Sequence, residues 1–242
     1  MIRKFYYPQK TMIHMRITIL YENSPHPDTE ALIPGWGFSA LIEHQDSALL
    51  FDCGWDGNAF INNCKLLCDE INPNAIIISH EHWDHVGALP VVLNHFGDIP
   101  VFLPSIFSRN QEKEIGKRVS VVKRLANFAS LEEYCPKAFS TGTIRKKKGI
   151  GEQGLLLRSN NHHLTLLTGC SHPGVDLMLQ AAKTLGKVNC LVGGVHGFKD
   201  IDCLKENNVD TLYLGHCTEN TAILFPHAKV AEKLHVGMQI LI

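Results

Sequence analysis

The amino-acid sequence predicts an α/β domain of stacked sheets and helices, and three observations carry that expectation. The chain opens with short apolar strand patterns separated by polar connections, and then alternates strand with helix patterns. Its last three strand patterns each run into a glycine that is followed, within three residues, by a histidine. Chemistry-bearing side chains gathered at the carboxyl ends of strands belong to α/β layered proteins.

In chain order, residues 1–14 hold Arg3, Lys4 and Lys10 without an acid and read as an N-terminal extension. A single domain over residues 15–242 starts with a strand at 15–20. Asn, Ser and Pro make a loop of residues 21–33, and residues 37–42 and 48–51 read as two strands of a hairpin. Residues 58–68 show helical spacing of apolar side chains, 75–79 form a β-branched strand, and 88–95 return to helix. A short strand follows at 100–104. The polar, charge-rich stretch 108–135 reads as helix and loop covering the site, a helical cap inserted around residues 105–148. Residues 141–148 and 154–158 read as edge strands and 164–168 as a buried strand. Helix patterns at 176–185 and 201–207 then alternate with strand patterns at 188–192 and 209–214.

A chain of 242 residues with 45% hydrophobic content is long enough for one substantial core. Its 23 Lys and Arg against 24 Asp and Glu give a net charge of -1, which supplies no broad attraction for nucleic acid or membrane. A small-molecule substrate is the expected partner, with a homo-oligomer left open. No run approaches the apolar length of a membrane span, and the start lacks the apolar core of a secretory signal, so the expected location is cytoplasmic. Of the eight cysteines, Cys53, Cys64, Cys68, Cys135, Cys190 and Cys203 sit in apolar or helical contexts and read as reduced core thiols. Cys64 and Cys68 lack the second pair that a zinc ribbon needs.

The most informative segment is His80-Glu81-His82-Trp83-Asp84-His85, which packs four metal-competent side chains into six residues just after an apolar strand. Imidazole and carboxylate are ligands for Zn²⁺, Mn²⁺ and Fe²⁺. In an extended stretch His80 and His82 share a face, while Asp84 and His85 straddle the next bend. Two pairs aimed at neighbouring points imply two divalent metal ions.

The same run resembles the HxHxDH signature of the metallo-β-lactamase superfamily. Leu49-Leu50-Phe51-Asp52-Cys53-Gly54 is similar to the strand that precedes that signature, and Thr168-Gly169-Cys170-Ser171-His172 and Gly215-His216-Cys217-Thr218 to the segments with its downstream histidines. Together with Gly35-Trp36-Gly37-Phe38-Ser39 and Gly193-Gly194-Val195-His196, these segments resemble a subgroup of metal-dependent hydrolases described as dihydropterin-ribofuranosylaminobenzene-phosphate synthase-like.

The resemblance implies a four-layer αββα sandwich and a dinuclear site, zinc first, with Mn or Fe admitted. It places His80, His82 and His172 on one metal, and Asp84, His85 and His216 on the other. It also implies catalysis by a metal-activated water that Asp84 orients. The implied function is hydrolysis of a small cytosolic ester, lactone, thioester or phosphoester; the alternative is a pterin-related ribofuranosylaminobenzene 5'-phosphate synthase-like transferase. Where many members carry a bridging Asp, this chain has Cys170, which reads either as a thiolate metal ligand or as a packed thiol. Asp52 reads either as the group that orients a ligand histidine or as the cap of the Gly54 turn. His196 stands at a strand end as a ligand, a general acid or a substrate contact. Arg145-Lys146-Lys147-Lys148 reads as a phosphate grip or a solvated turn.

Overall fold

The computed structural model describes residues 14–68 and 71–242; the expected extension lies outside them except for His14. Fourteen strands form in the order β1 (Arg16–Tyr21), β2 (Ser39–His44), β3 (Ser47–Phe51), β4 (Ala75–Ile77), β5 (Val101–Pro104), β6 (Val122–Leu125), β7 (Ala129–Ser130), β8 (Ala138–Ser140), β9 (Leu155–Arg158), β10 (Leu164–Thr168), β11 (Val188–Gly193), β12 (Thr211–Leu214), β13 (Val230–Lys233) and β14 (Gln239–Leu241). The α-helices are α1 (Gly57–Cys68), α2 (Trp83–Val86), α3 (Leu89–Phe96), α4 (Arg109–Ile115), α5 (Val175–Ala182), α6 (Ile201–Glu206) and α7 (Thr221–Leu224).

Two seven-stranded sheets result, ordered β14-β1-β2-β3-β4-β5-β6 and β13-β12-β11-β10-β9-β8-β7. Each is antiparallel in its first part and parallel in its second. In the first sheet β1, β2 and β3 pair antiparallel and β3 to β6 parallel; in the second, β7 to β10 pair antiparallel and β10 to β13 parallel. Short turns permit the first kind of pairing, whereas parallel neighbours need longer crossovers. The last strand, β14, returns to the β1 edge of the first sheet.

Residue alternation builds the layers. In β2 and β3, Ala40, Ile42, Leu49 and Phe51 face the core between the sheets, where they join Leu155, Leu157, Leu167 and Val192. Leu41 and Leu50 point the other way, onto Phe60, Val92 and Leu93 of α1 and α3. Leu156, Leu166 and Leu191 make the matching outer layer with Val175, Met178, Leu179 and Leu204 of α5 and α6. Strands covered on both faces are apolar at consecutive positions, which is the pattern of these segments. The expected four-layer αββα sandwich is the observed architecture. Among the described residues no helix is long and apolar enough to cross a membrane.

Three expectations need correction. The helical cap expected around residues 105–148 contains α4 as its one α-helix, and continues as β6 and β7 at the far edges of the two sheets, with buried β8 next to β7. The polar composition there reflects edge strands with solvent on one side: in Val122–Leu125, Lys123 is exposed and the other three residues are half-buried. Residues 154–158, expected at an edge, supply the interior strand β9 between β8 and β10. Its three leucines are fully buried, and three apolar residues in succession suit a strand covered on both faces. Residues 141–148 contribute a single bridge, Ile144 to Glu152.

Candidate metal centre

The site is assembled where β3, β4, β10, β11 and β12 end. The ends of β3, β10, β11 and β12 bend sharply. Asp52, Ser171, His196 and His216 all adopt positive φ, at 57°, 57°, 46° and 50°. Left-handed backbone at non-glycine residues is uncommon and clusters at functional positions.

Two triads form. His80 Nε2, His82 Nδ1 and His172 Nε2 lie 3.0 to 3.2 Å from one another. In the second triad, His216 Nε2 lies 3.2 Å from His85 Nε2 and 3.3 Å from Asp84 Oδ2, with His85 and Asp84 4.0 Å apart. All six residues expected to ligate metal, from segments as distant as residues 80 and 216, thus converge. Cys170 joins them, its sulfur 3.3 Å from His85 Nε2 and within one donor cluster with His80 and His85. His196 lies beside His172, ring centroids 4.5 Å apart and the planes tilted by 55°. The first triad opens toward solvent through half-buried His82 and His172, while His80 and His85 are fully buried.

The hydrogen bonds behind the histidines determine which nitrogen is left to ligate. The Ser79 hydroxyl donates to Asp52 Oδ2 at 2.6 Å, so its oxygen accepts from His80 Nδ1 at 2.9 Å and the lone pair of His80 sits on Nε2. Asp52 Oδ2 also accepts from His85 Nδ1 at 2.7 Å, and Asn23 Oδ1 from His216 Nδ1 at 3.2 Å. In all three rings Nε2 is therefore the acceptor, and in all three it faces the centre. Of the two readings of Asp52, the geometry selects the orienting one.

Electrostatics complement this donor set. Burial drives His80, His82 and His172 toward the neutral form, with His172 lowered to about 3. Neutral imidazole is the form that binds metal. Burial also opposes charge on His85, but Asp52 and then Asp84 outweigh it and raise its proton affinity, a negative field that equally favours a bound cation. For Asp84 burial works against ionisation, yet the hydrogen bond to His216 and the adjacent rings hold the carboxyl well below the usual carboxylate range. Trp36 Nε1 donates to Asp84 Oδ2 at 2.9 Å and its ring tilts over His216. Nitrogen spacings near 3 Å among neutral rings fit coordination of an ion with metal–nitrogen distances of about 2.0–2.1 Å, so the residues present fit a divalent metal.

The family model of the metallo-β-lactamase superfamily matches residues 33–177, which span both the HxHxDH run and the Cys170–His172 turn. The chain belongs to the metallo-β-lactamase superfamily. It is 27% identical to a 7,8-dihydropterin-6-methyl-4-(beta-D-ribofuranosyl)-aminobenzene-5'-phosphate synthase of Methanocaldococcus jannaschii, over 84% of this chain and 90% of that one. Among solved structures it resembles Tm1679, described as a metal-dependent hydrolase of the beta-lactamase superfamily, with TM-score 0.72, 23% identity and coverage of 94% and 98%. The metallo-β-lactamase fold protein YhfI from Bacillus subtilis superposes with TM-score 0.67 at 14% identity, covering 94% and 99%.

Several residues of this metallo-β-lactamase centre escape a reading of the sequence. Glu152, fully buried, accepts from the backbone amides of Gly169, Cys170 and Ser171 at 2.9 to 3.0 Å through Oε1, and from His172 N at 2.9 Å through Oε2. One carboxylate thus shapes the turn that carries Cys170 and His172. Its neighbour Gln153 donates to Ile78 O and accepts from the Ser140 hydroxyl, tying the two sheets beneath the site. Glu22 does for His216 what Glu152 does for His172, taking the His216 amide at 2.9 and 3.1 Å. The one available signal for Glu22 is an acid at the end of a buried strand, the same signal that marks Asp52. A separate apolar cleft of about 400 Å³ between α3 and α4, lined by Leu89, Leu93, Phe107 and Ile115, touches neither triad.

Burial pushes the Glu22 carboxyl up to about 7, against its backbone hydrogen bonds. Between its ordinary value of 4.5 and 7 the native state keeps a proton that the unfolded chain has released. Stability is therefore present below the lower limit and is lost as pH rises through 7. In chelated protein the parent is expected to lose up to about 3 kcal/mol more than Glu22→Gln between pH 5 and 8. Urea denaturation of both proteins at the two pH values measures this; equal losses refute it.

Proposed function

We propose that the protein is a metal-dependent hydrolase in which His80, His82 and His172 hold one divalent ion and Asp84, His85 and His216 a second, acting on a small ester, lactone, thioester or phosphoester. The observation that carries this reading is the orientation of His80, His85 and His216, each turned by a hydrogen bond to Nδ1 so that Nε2 faces the centre. Divalent ions bound there supply an acidified water and positive charge for the oxygen on which charge develops. Asp84, ionised and fixed by Trp36, aligns the attacking water and can accept its proton. Cys170, in contact with His85 and clustered with His80, lies between the two triads, where a bridging ligand belongs. Trp36, Trp55 and Trp83, each about half exposed, provide apolar walls around the mouth for the rest of the substrate.

A second reading has one specific observation in its favour. Lys146 Nζ lies 3.0 Å from the position a Cβ on Gly174 would take, so the basic run stands beside the turn that follows His172. That placement suits a substrate phosphate and supports the synthase-like alternative, together with the M. jannaschii relative.

Protein loaded separately with Zn²⁺, Mn²⁺ and Fe²⁺, assayed on a panel of esters, lactones, thioesters and phosphodiesters, tests the leading reading. Cleavage of one class that disappears in Asp84→Asn supports it. No cleavage with any metal, together with binding of phosphoribosyl compounds that weakens in Lys146→Ala, moves the assignment to the transferase.

A further inference from the structure

The proposed dinuclear centre takes up both triads and Cys170, but leaves Cys217 and His196 without a role. At the ends of β10, β11 and β12, Cys170 Sγ, Cys217 Sγ and a ring nitrogen of His196 lie within 4.8 Å of one another. Both thiols are buried, and His196 is half-buried. The six other cysteines are part of, or pack against, the three apolar clusters of the domain; Cys170 and Cys217 are in none of them. Their surroundings are polar: Cys217 Sγ lies 4.0 Å from Cys170 O, and Cys170 Sγ 3.3 Å from His85 Nε2.

The backbone is shaped to bring them together. A Cβ on Gly194 would stand 2.4 Å from Gly169 O, 2.6 Å from Cys217 Sγ and 3.4 Å from Cys170 Cα. A side chain there would push the two thiol-bearing turns apart, so their approach depends on glycine at this position.

We propose that Cys170, Cys217 and His196 form a third, sulfur-rich metal position beside the two triads, suited to a thiophilic tetrahedral cation such as Zn²⁺ or Cd²⁺. Bond lengths of about 2.3 Å to sulfur and 2.0–2.1 Å to nitrogen put tetrahedral donors roughly 3.4–3.8 Å apart, a spacing the cluster accommodates. Two thiolates and one imidazole leave a fourth coordination place, reached past the half-buried His196. Of the three readings of His196 in the sequence, as ligand, general acid or substrate contact, this arrangement takes the first. Cys170 links the third position to His85 and so to the dinuclear centre.

The test reads metal and not turnover, so its failure leaves the hydrolase reading standing. Reduced, chelated protein is equilibrated with Cd²⁺ alone, and ions bound per chain are counted alongside the ultraviolet sulfur-to-cadmium charge-transfer absorption. Cys217→Ser and His196→Ala are expected to bind one ion fewer than the parent, and Cys217→Ser to lose about half the absorption, since Cys170 keeps its sulfur on the dinuclear pair. His80→Ala is expected to lose an ion with the absorption intact. The ion that depends on His80 serves as the folding control in the cysteine variant. The proposal is overturned if Cys217→Ser keeps the parent's ion count and absorption, or if Cys170→Ser alone abolishes an absorption that Cys217→Ser leaves unchanged.

Discussion

Changing His80 to alanine is expected to remove about one metal ion per chain and to cut hydrolytic turnover by at least about 10³-fold, or about 4 kcal/mol of transition-state stabilisation. His80 is the most constrained member of the first triad. It is fully buried, its Nδ1 is engaged by Ser79, and its Nε2 lies 3.0 Å from His82 Nδ1 and 3.2 Å from His172 Nε2. No neighbour can swing into its place, because His82 and His172 already contribute their own nitrogens. The truncation leaves a void where a donor stood. It also frees the Ser79–Asp52 pair, which positions His85 in the second triad, so the second ion should bind more weakly as well. Elemental analysis of protein purified without added metal, with a thermal melt in the presence and absence of chelator, provides the readout. The parent should melt higher with metal than without, and the variant should show a smaller difference, since an ion bound only by the native state stabilises it. Unchanged metal content in His80→Ala would remove the first triad from consideration as a metal site.

Glu152→Ala is expected to produce the largest loss of stability of any single change at the centre, about 4–6 kcal/mol, or roughly 10–20 °C in melting temperature. Four backbone amides, from Gly169 to His172, lose their acceptor at once. Those of Gly169, Cys170 and Ser171 are buried and that of His172 is half-buried, and leaving a buried donor unpaired costs about 1–3 kcal/mol. Water admitted to the cavity left by the side chain recovers part of that, which sets the lower end of the range. Glu152→Gln keeps the shape but replaces one acceptor oxygen with a donor, which must face either the three amides on Oε1 or the His172 amide. Its cost should fall between zero and that of the alanine variant. Chemical denaturation of the metal-free proteins separates this effect from metal binding. A loss under about 1 kcal/mol for the alanine variant would mean that the turn holds its shape without the carboxylate.

The contrast between these two residues also shows what the chain reveals without its fold. His80 belongs to a six-residue run whose ligands are set by strand periodicity and one bend, both local properties. The residue spacing alone therefore pointed to metal, and strand patterns ending in glycine and histidine pointed to an α/β layered fold with chemistry at strand ends. Patterns failed where position in a sheet mattered. Residues 154–158 read as an edge because their neighbours are polar, yet β9 is interior; α4 is one short helix in what reads as a helical cap. A sequence does not say which strands will flank a given strand, and burial on both sides is decided by that choice.

By itself, then, the sequence determined the donor types, their two groupings in the HxHxDH run and the layered class of the fold. Only the tertiary structure decided which nitrogen each histidine presents, because that depends on acceptors far away in the chain. Asp52 is 33 residues from His85, Asn23 is 193 from His216, and the carboxylate that takes the His216 amide is 194 residues away. The same holds for Cys217, adjacent in sequence to His216 but brought to Cys170 and His196 by the packing of three parallel strands. Hydrogen-bond direction and donor convergence require distances in space, and separation along the chain carries no information about them once strands from opposite ends lie side by side.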